Sequence, residues 1–555
     1  MADMPTFSLR EEVDFVIIGS GSAGGIIAKE LSTAGFKTVV LEQGPYRTQA
    51  DFHHDEIAVM INGEFGGGGP ALSGQTFRSD SSAEAVSPNA PFPPVYYAQT
   101  VGGSSVQFSA HFLRMREIDF KERSTFGAIA GTNFADWPIS YDELEPYYTK
   151  VDWEIGVSGA PGYFDAPRSK PFPMPPMTIN SSGALLEKAA GKLGLHADVQ
   201  PHAITTTVHN GRPPCVKCGF CMFYGCEMGA KSSSLAAMIP LAEASGNCEI
   251  RSESAAFRIV TNDQGRATEV LYYDKDGREQ GQRTKAVVLS ANGAESPRLL
   301  LLSAGERHPD GLGNSSGYVG RNLMFNSHSF ASAVFENPLN EYKGVQATRV
   351  VQDFYESDPK RGFYGGGGID ARAMFAATPL MYTLAGMPDN VKTWGKDFKD
   401  AIGHGFSRTM GLAASGTSLP VDSNNITLDP ENTDQWGRPS LRVTYRDHPD
   451  DLATAGFLRE KALELFDAAG ADYAWAPPVE PSQFGVHLLG TCRMGDDPET
   501  SVVDRHHRSH DVENLYICDG SSLVSSTRGQ PTMTIMALAF RAAEKMIDAA
   551  RAGEV

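Results

Sequence analysis

The chain has 555 residues, with 48 Lys or Arg against 67 Asp or Glu, a formal net charge of −19. Such a charge excludes nucleic acid or an anionic membrane as the main partner, because phosphates would be repelled. With 41% hydrophobic and 21% charged residues, the balance is that of a globular protein with ample core material. No run approaches the roughly 18–20 apolar residues that a membrane helix needs, so no direct membrane span is expected. Met1 to Glu12 holds neither an apolar export segment nor a twin-arginine pair, and no export signal is expected of the chain itself.

Residues 13–18, Val-Asp-Phe-Val-Ile-Ile, read as a buried parallel strand. They run into Gly19-Ser20-Gly21-Ser22-Ala23-Gly24 and a helix from about Ala23 to Thr33. Ala34-Gly35 ends that helix, and residues 38–42 supply a second strand, completing a βαβ unit. From Gly44 to about Pro94 the composition turns to Gly, Ser, Pro and Asn, including the run Gly66 to Gly69, and predicts loop and a lid. A second run, Gly365 to Gly368, reads as loop as well. Residues 160–180 carry six prolines and form a connector. Residues 286–290 predict another buried strand, followed by a helix over about 296–302, and residues 514–519 a strand near the C-terminus. A closing helix begins at Pro531, a residue suited to the first helical position. The fold class is therefore α/β, a discontinuous Rossmann-like nucleotide-binding domain with an inserted α+β domain. Its parts are expected at 1–325, 326–485 and 486–555.

Gly19, Gly21 and Gly24 follow a strand, open a helix and precede Glu42 at the end of the second strand. In that context GxGxxG is a dinucleotide fingerprint, with the helix start (Ser22 onward) facing a pyrophosphate and Glu42 accepting from a ribose diol. The fingerprint alone does not choose between FAD and NAD.

Further segments make that choice. They are Val101-Gly102-Gly103-Ser104-Ser105, Asp136-Trp137-Pro138, Ala294-Glu295-Ser296-Pro297-Arg298, His487-Leu488-Leu489-Gly490-Thr491-Cys492-Arg493-Met494-Gly495, Asp519-Gly520-Ser521-Ser522 and Gln530-Pro531-Thr532. Together they make the chain resemble, nearly end to end, the glucose–methanol–choline (GMC) family of flavin oxidoreductases. Within the family it is most similar to the large subunits of bacterial gluconate and glucoside dehydrogenases. The resemblance implies FAD, a substrate domain on an antiparallel sheet, and oxidation of an alcohol by hydride transfer. It places Gly102, Gly103, Ser104 and Ser105 beside the flavin ring. Asp519 and Gly520 fall near the ribityl phosphate, and the helix starting at Pro531 and Thr532 points toward the pyrimidine end. Where some members tether the flavin through a histidine, this chain has Gln107, so FAD is expected to be non-covalent, with His111 close by.

The resemblance also makes His487 the active-site base, a role suited to imidazole, and Gln530 its partner where the family has Asn or His. Glutamine can donate to and accept from a substrate hydroxyl but is no second base. The segment 505–510, rich in Arg and His, reads as a solvated turn. Four of the seven cysteines, Cys215, Cys218, Cys221 and Cys226, fall within twelve residues. Their spacing leaves open an iron–sulfur cluster, a structural thiol nest or disulfide, and zinc. The resembling sugar dehydrogenases imply a three-iron cluster relaying electrons outward.

The leading expectation is thus a dehydrogenase of a sugar or glycoside hydroxyl, yielding a ketone or lactone and passing electrons to an external acceptor. A small export subunit and cytochrome c are then its partners, which would place the chain in the periplasm; otherwise it is cytoplasmic. The alternatives are an oxidase using O₂ on a sugar, sterol or long-chain alcohol, an FAD-containing lyase, and a non-catalytic nucleotide-binding scaffold.

Overall fold

Strand Val13–Ile18 is apolar on both faces apart from Asp14 and almost wholly buried, as suits a central parallel strand. It pairs in parallel with Thr38–Leu41 on one side and with Glu279–Leu289 on the other. The parallel ladder extends to Cys248–Arg251 at one end and to Leu515–Ile517 beyond Glu279–Leu289. The structure, a computed structural model, describes residues 7–64, 74–87, 93–372 and 378–555. Glu279–Leu289 serves two ladders: its first half also pairs antiparallel with Ala267–Tyr273, which pairs in turn with Ala255–Thr261. Helix Ser22–Thr33 packs its Ile26, Ile27 and Leu31 into this core beside the last helix, Thr532–Ala552. The two ends of the chain therefore complete one nucleotide-binding unit.

A second, six-stranded sheet has the antiparallel order Tyr473–Trp475, Ser327–Val334, Thr409–Gly416, Gly367–Asp370, Arg349–Val351 and Ala197–Val199. Its two faces differ. Ala331, Ala333, Ile369, Met410, Leu412 and Ala414 point to one side and bury against helices Ser181–Lys192 and Pro449–Ala469. The register Gly368↔Ser415↔His328 and Asp370↔Ala413↔Phe330 puts the alternate residues on the other side, since successive strand residues face opposite ways. Pro449–Ala469 starts at Pro449 behind a capping box from His448 and stops at Gly470, whose φ is 81°, so both ends of this supporting helix are defined locally. Strands Thr76–Arg78, Pro439–Thr444 and Asn425–Thr433 form a third sheet.

The structure corrects one expectation here: Gly365 to Gly368 is not plain loop. Gly367 and Gly368 begin a buried strand, and a Cβ at Gly367 would lie 2.1 Å from the Ser415 carbonyl oxygen. Glycine lets two strands approach there. The other glycine run, Gly66 to Gly69, lies outside the described residues. The helix expected over 296–302 starts earlier, at Asn292. Residues 197–199 belong to the second sheet although they precede residue 326. Among the described residues no helix is long and apolar enough to cross a membrane.

Candidate active site

A cavity of roughly 840 Å³ opens along the C-terminal ends of the parallel strands and continues under the polar face of the second sheet. At its nucleotide end lie Gly19, Gly21, Ser22 and Glu42. Gly19 turns the chain at a φ of 93°. Gly24 does not reach the cavity; a Cβ there would sit 2.0 Å from the Gly19 carbonyl oxygen, so its role is close packing of helix on strand. Ser20 is fully buried and ties three segments together. Its hydroxyl donates to Glu42 Oε2 at 2.7 Å and accepts from the Gly102 amide at 3.0 Å. Ser20 N also donates to Oε2, and Gly44 N donates to Oε1. Burial pushes the Glu42 carboxyl above the ordinary range while these donors oppose the shift.

Gly103, Ser104 and Ser105 line the middle of the cavity as a single 3₁₀ turn. Gly102, left-handed at a φ of 94°, packs on Leu235 outside it. Ser104 accepts from Ala98 N, and Ser105 donates to Gly102 O while accepting from Ser234 N. Asp519 and Gly520 line the opposite wall. The Asp519 carboxylate accepts from Asn292 N, Ser296 Oγ and Ser521 N. Pro531 and Thr532 reach the cavity at the start of the Thr532–Ala552 helix. Neither this helix nor Ser22–Thr33 has a side-chain cap at its N-terminus, so both leave first-turn N–H groups and positive dipole ends for an anionic ligand. That donor set fits a flavin dinucleotide: one helix start for the pyrophosphate, Glu42 for a ribose, and a second helix start for the electron-rich end of the ring. Gln107 lines the cavity beside Tyr96 and offers no nucleophilic ring nitrogen for a covalent tether.

His487 and Gln530 meet in the same cavity. His487 Nδ1 lies 3.1 Å from Asn326 Oδ1. The Asn326 amide nitrogen donates to the carbonyls of Gly416, at 3.1 Å, and Thr527. With both N–H groups used on carbonyls, Oδ1 must be the atom that faces the histidine. His487 therefore carries its proton on Nδ1 and keeps a lone pair on Nε2 for the cavity. Burial, with the neighbouring His328 and Arg372, holds the imidazole well below its ordinary pKa. The His328 ring stands 5.4 Å from that of His487, and burial brings its own pKa down to about 4. Gln530 Nε2 lies 3.5 Å from Ser415 Oγ, itself 3.3 Å from His328 Nδ1.

Asn326, His328 and Arg372 were not among the residues singled out from the sequence. Arg372 follows strand Gly367–Asp370, is buried, and pairs side-on with Asp370. It also donates to His111 Nδ1 at 3.2 Å. The one available signal was Ser327-His328-Ser329-Phe330, whose polar residue alternates with an aromatic on one strand face.

The structure does not bring Cys215, Cys218, Cys221 and Cys226 into a metal site: among the described residues no three His, Cys, Asp or Glu side chains are gathered for one. Cys218 is exposed, Cys221 is buried, and the other two are intermediate. The buried ammonium of Lys231 donates to the carbonyls of Phe108, Cys221 and Tyr224 and so braces the loop that carries the cysteines. Burial pushes the Cys221 thiol up to about 12. The 505–510 segment is also not wholly solvated, because His507 is fully buried with Nδ1 3.1 Å from Ile517 O.

Ser20→Ala strands the buried Gly102 amide and removes a donor from Glu42. The expected loss is about 1–3 kcal/mol of unfolding free energy, read from the denaturant midpoint; an unchanged midpoint would show that the three segments do not depend on this hydroxyl.

Two family models described as GMC oxidoreductase match residues 13–328 and 420–539. A 2-methyl-1,2-propanediol dehydrogenase of Mycolicibacterium austroafricanum is 35% identical, covering 96% of this chain and 95% of its own. A gluconate 2-dehydrogenase flavoprotein of Pantoea cypripedii is 30% identical, covering 96% and 93%. Among solved structures, a formate oxidase variant of Aspergillus oryzae, studied for its FAD modification, aligns with a TM-score of 0.67 at 16% identity, covering 98% of this chain and 99% of its own. That last likeness speaks for the fold alone. The chain therefore belongs to the GMC oxidoreductase family, FAD-dependent enzymes that act on CH–OH donors.

Proposed function

We propose that the protein is a dehydrogenase that oxidises a hydroxyl of a small alcohol or sugar to the carbonyl, with non-covalent FAD, and hands the electrons to an acceptor other than O₂. The observation that carries the reading is the fixed tautomer of His487, whose Nε2 lone pair is offered to the cavity by the Asn326 contact. When bound, FAD supplies the hydride acceptor. His487 Nε2 takes the hydroxyl proton, and the Gln530 amide donates to the same oxygen and orients it. Helix Thr532–Ala552 stabilises negative charge through its uncapped N-terminus. Apolar residues such as Phe330, Met381 and Phe484 line the cavity and limit water. The dehydrogenase assignment leans on the relatives' names, dehydrogenases of a diol and of gluconate; a lyase finds no support among them and is set aside. An iron–sulfur relay finds no support in the cysteine geometry, so flavin alone carries the reading.

Anaerobic addition of an alcohol or sugar substrate is expected to bleach the flavin bands, and acid precipitation to release all of the flavin. His487→Ala should keep bound FAD while slowing bleaching by about 10²–10⁴-fold. Bleaching at the wild-type rate would remove His487 as the base, and fast reoxidation in air would replace the external acceptor with O₂.

The pH profile follows from the same geometry. Because the His487 pKa lies below the ordinary value of about 6.5, the base is neutral throughout the neutral range, and the acid limb of kcat/KM should fall below about pH 6.5. Asn326→Asp places an anion at Nδ1, favours the imidazolium and raises that pKa. Its acid limb should therefore move to higher pH; a limb that stays put would show that Asn326 does not govern the base.

A further inference from the structure

Arg372 is the unusual group in the cavity. Its Nε donates to Asp370 Oδ1 at 2.9 Å, and Nη2 serves both Asp370 Oδ2 and His111 Nδ1. Nη1 makes no hydrogen bond among the described residues, and the side chain lines the cavity that holds His487. A guanidinium has five N–H donors in a rigid fork, so Nη1 presents two of them to whatever enters.

What it presents is direction rather than charge. Asp370 is buried and sits side-on to the guanidinium, so the pair as a whole is neutral. The rest of the wall does not shift the balance toward anions. The other lining guanidinium, Arg298, is paired with Glu295 and Asp434, and Glu42, Glu480 and Asp519 also line the cavity. A carboxylate brought to Nη1 would lose hydration for a cation whose charge Asp370 already offsets from the opposite side of the guanidinium. A neutral hydroxyl loses far less and gains a charge-assisted hydrogen bond.

We infer that Arg372 is a specificity residue that donates from Nη1 to a second hydroxyl of the substrate while the first lies at His487, so that the enzyme takes neutral diols and polyols, ring sugars included, and rejects hydroxy acids. This rests on the reading of His487 as the base of an alcohol oxidation. Asp370 acts as a positioning residue: it aims the fork and cancels its charge.

The test is anaerobic flavin bleaching by the holoenzyme with matched compounds: 1,2-propanediol against 1-propanol and lactate, and glucose against gluconate. The diol should exceed 1-propanol in kcat/KM by about 10- to 100-fold, the worth of one hydrogen bond to a charged donor. Lactate and gluconate should each fall below their neutral counterparts. Arg372→Met should bring the ratio of diol to mono-alcohol close to one, and Asp370→Asn, which leaves the guanidinium unbalanced, should raise the ratio of lactate to diol about tenfold or more. Flavin content is measured in each variant, and if Arg372→Met loses flavin, the Asp370→Asn ratio decides. Equal rates with diol and mono-alcohol in the wild type, acids that outrun their neutral partners, or ratios unmoved in flavin-replete variants would each overturn the inference while leaving the alcohol oxidation standing. No bleaching by any compound would overturn the oxidoreductase reading itself, and this inference with it.

Discussion

The hydroxyl of Ser20 is the point on which the nucleotide end of the molecule depends. It joins the glycine turn, the carboxylate at the end of the second strand and the backbone that leads into the Gly103–Val106 turn. All three are buried, so each of their polar groups must find a partner inside the protein. Glu42 would be costly to bury alone; with donors from Ser20 and Gly44 it becomes an oriented acceptor. Because Gly102 hangs from the same hydroxyl, the Gly103–Val106 turn is set relative to the Gly19–Gly24 turn. The relative placement of these segments is thus a property of one small network rather than of two independently packed loops.

The reacting end is built on a different principle. The second sheet spends one face on packing, where alanines, Ile369 and Leu412 lie against two helices, and leaves the other for chemistry. On and beside that face several imidazoles, His111, His328 and His487, are held neutral by burial and by the nearby guanidinium. A neutral imidazole can have one nitrogen as donor and the other as acceptor, and the fixed amide of Asn326 decides which is which at His487. The protein controls proton location through hydrogen-bond direction, with little mobile charge in the cavity.

The first strand, the helix after it and the returning C-terminal helix were legible because their signals are local: an apolar run, glycines at set intervals, and a proline at a helix start. His487 and Gln530 were legible only through the motifs that flank them. Arg372, Asn326 and His328 were not, because antiparallel pairing brings them together from well-separated stretches of chain, and nothing near Arg372 in the sequence marks it as facing a cavity. Gly365 to Gly368 misled for the opposite reason: a strand made of glycine has no side-chain alternation to read. The cysteine spacing suggested a metal, yet among the described residues no such site is gathered; Lys231 ties that loop through backbone carbonyls, contacts that no spacing rule records.

The split of the nucleotide-binding unit between the chain's two ends bears on how the protein is made. Helix Ser22–Thr33 leaves the ribosome well before its packing partner Thr532–Ala552, which is synthesised about 500 residues later. At about 5–20 residues per second, the intervening roughly 500 residues take on the order of 25–100 s. Through that interval the apolar side of the first helix has no native cover, and the sheet lacks its Leu515–Ile517 strand. A nascent chain in that condition exposes apolar surface, and the nucleotide-binding unit closes only once the Thr532–Ala552 helix has been made.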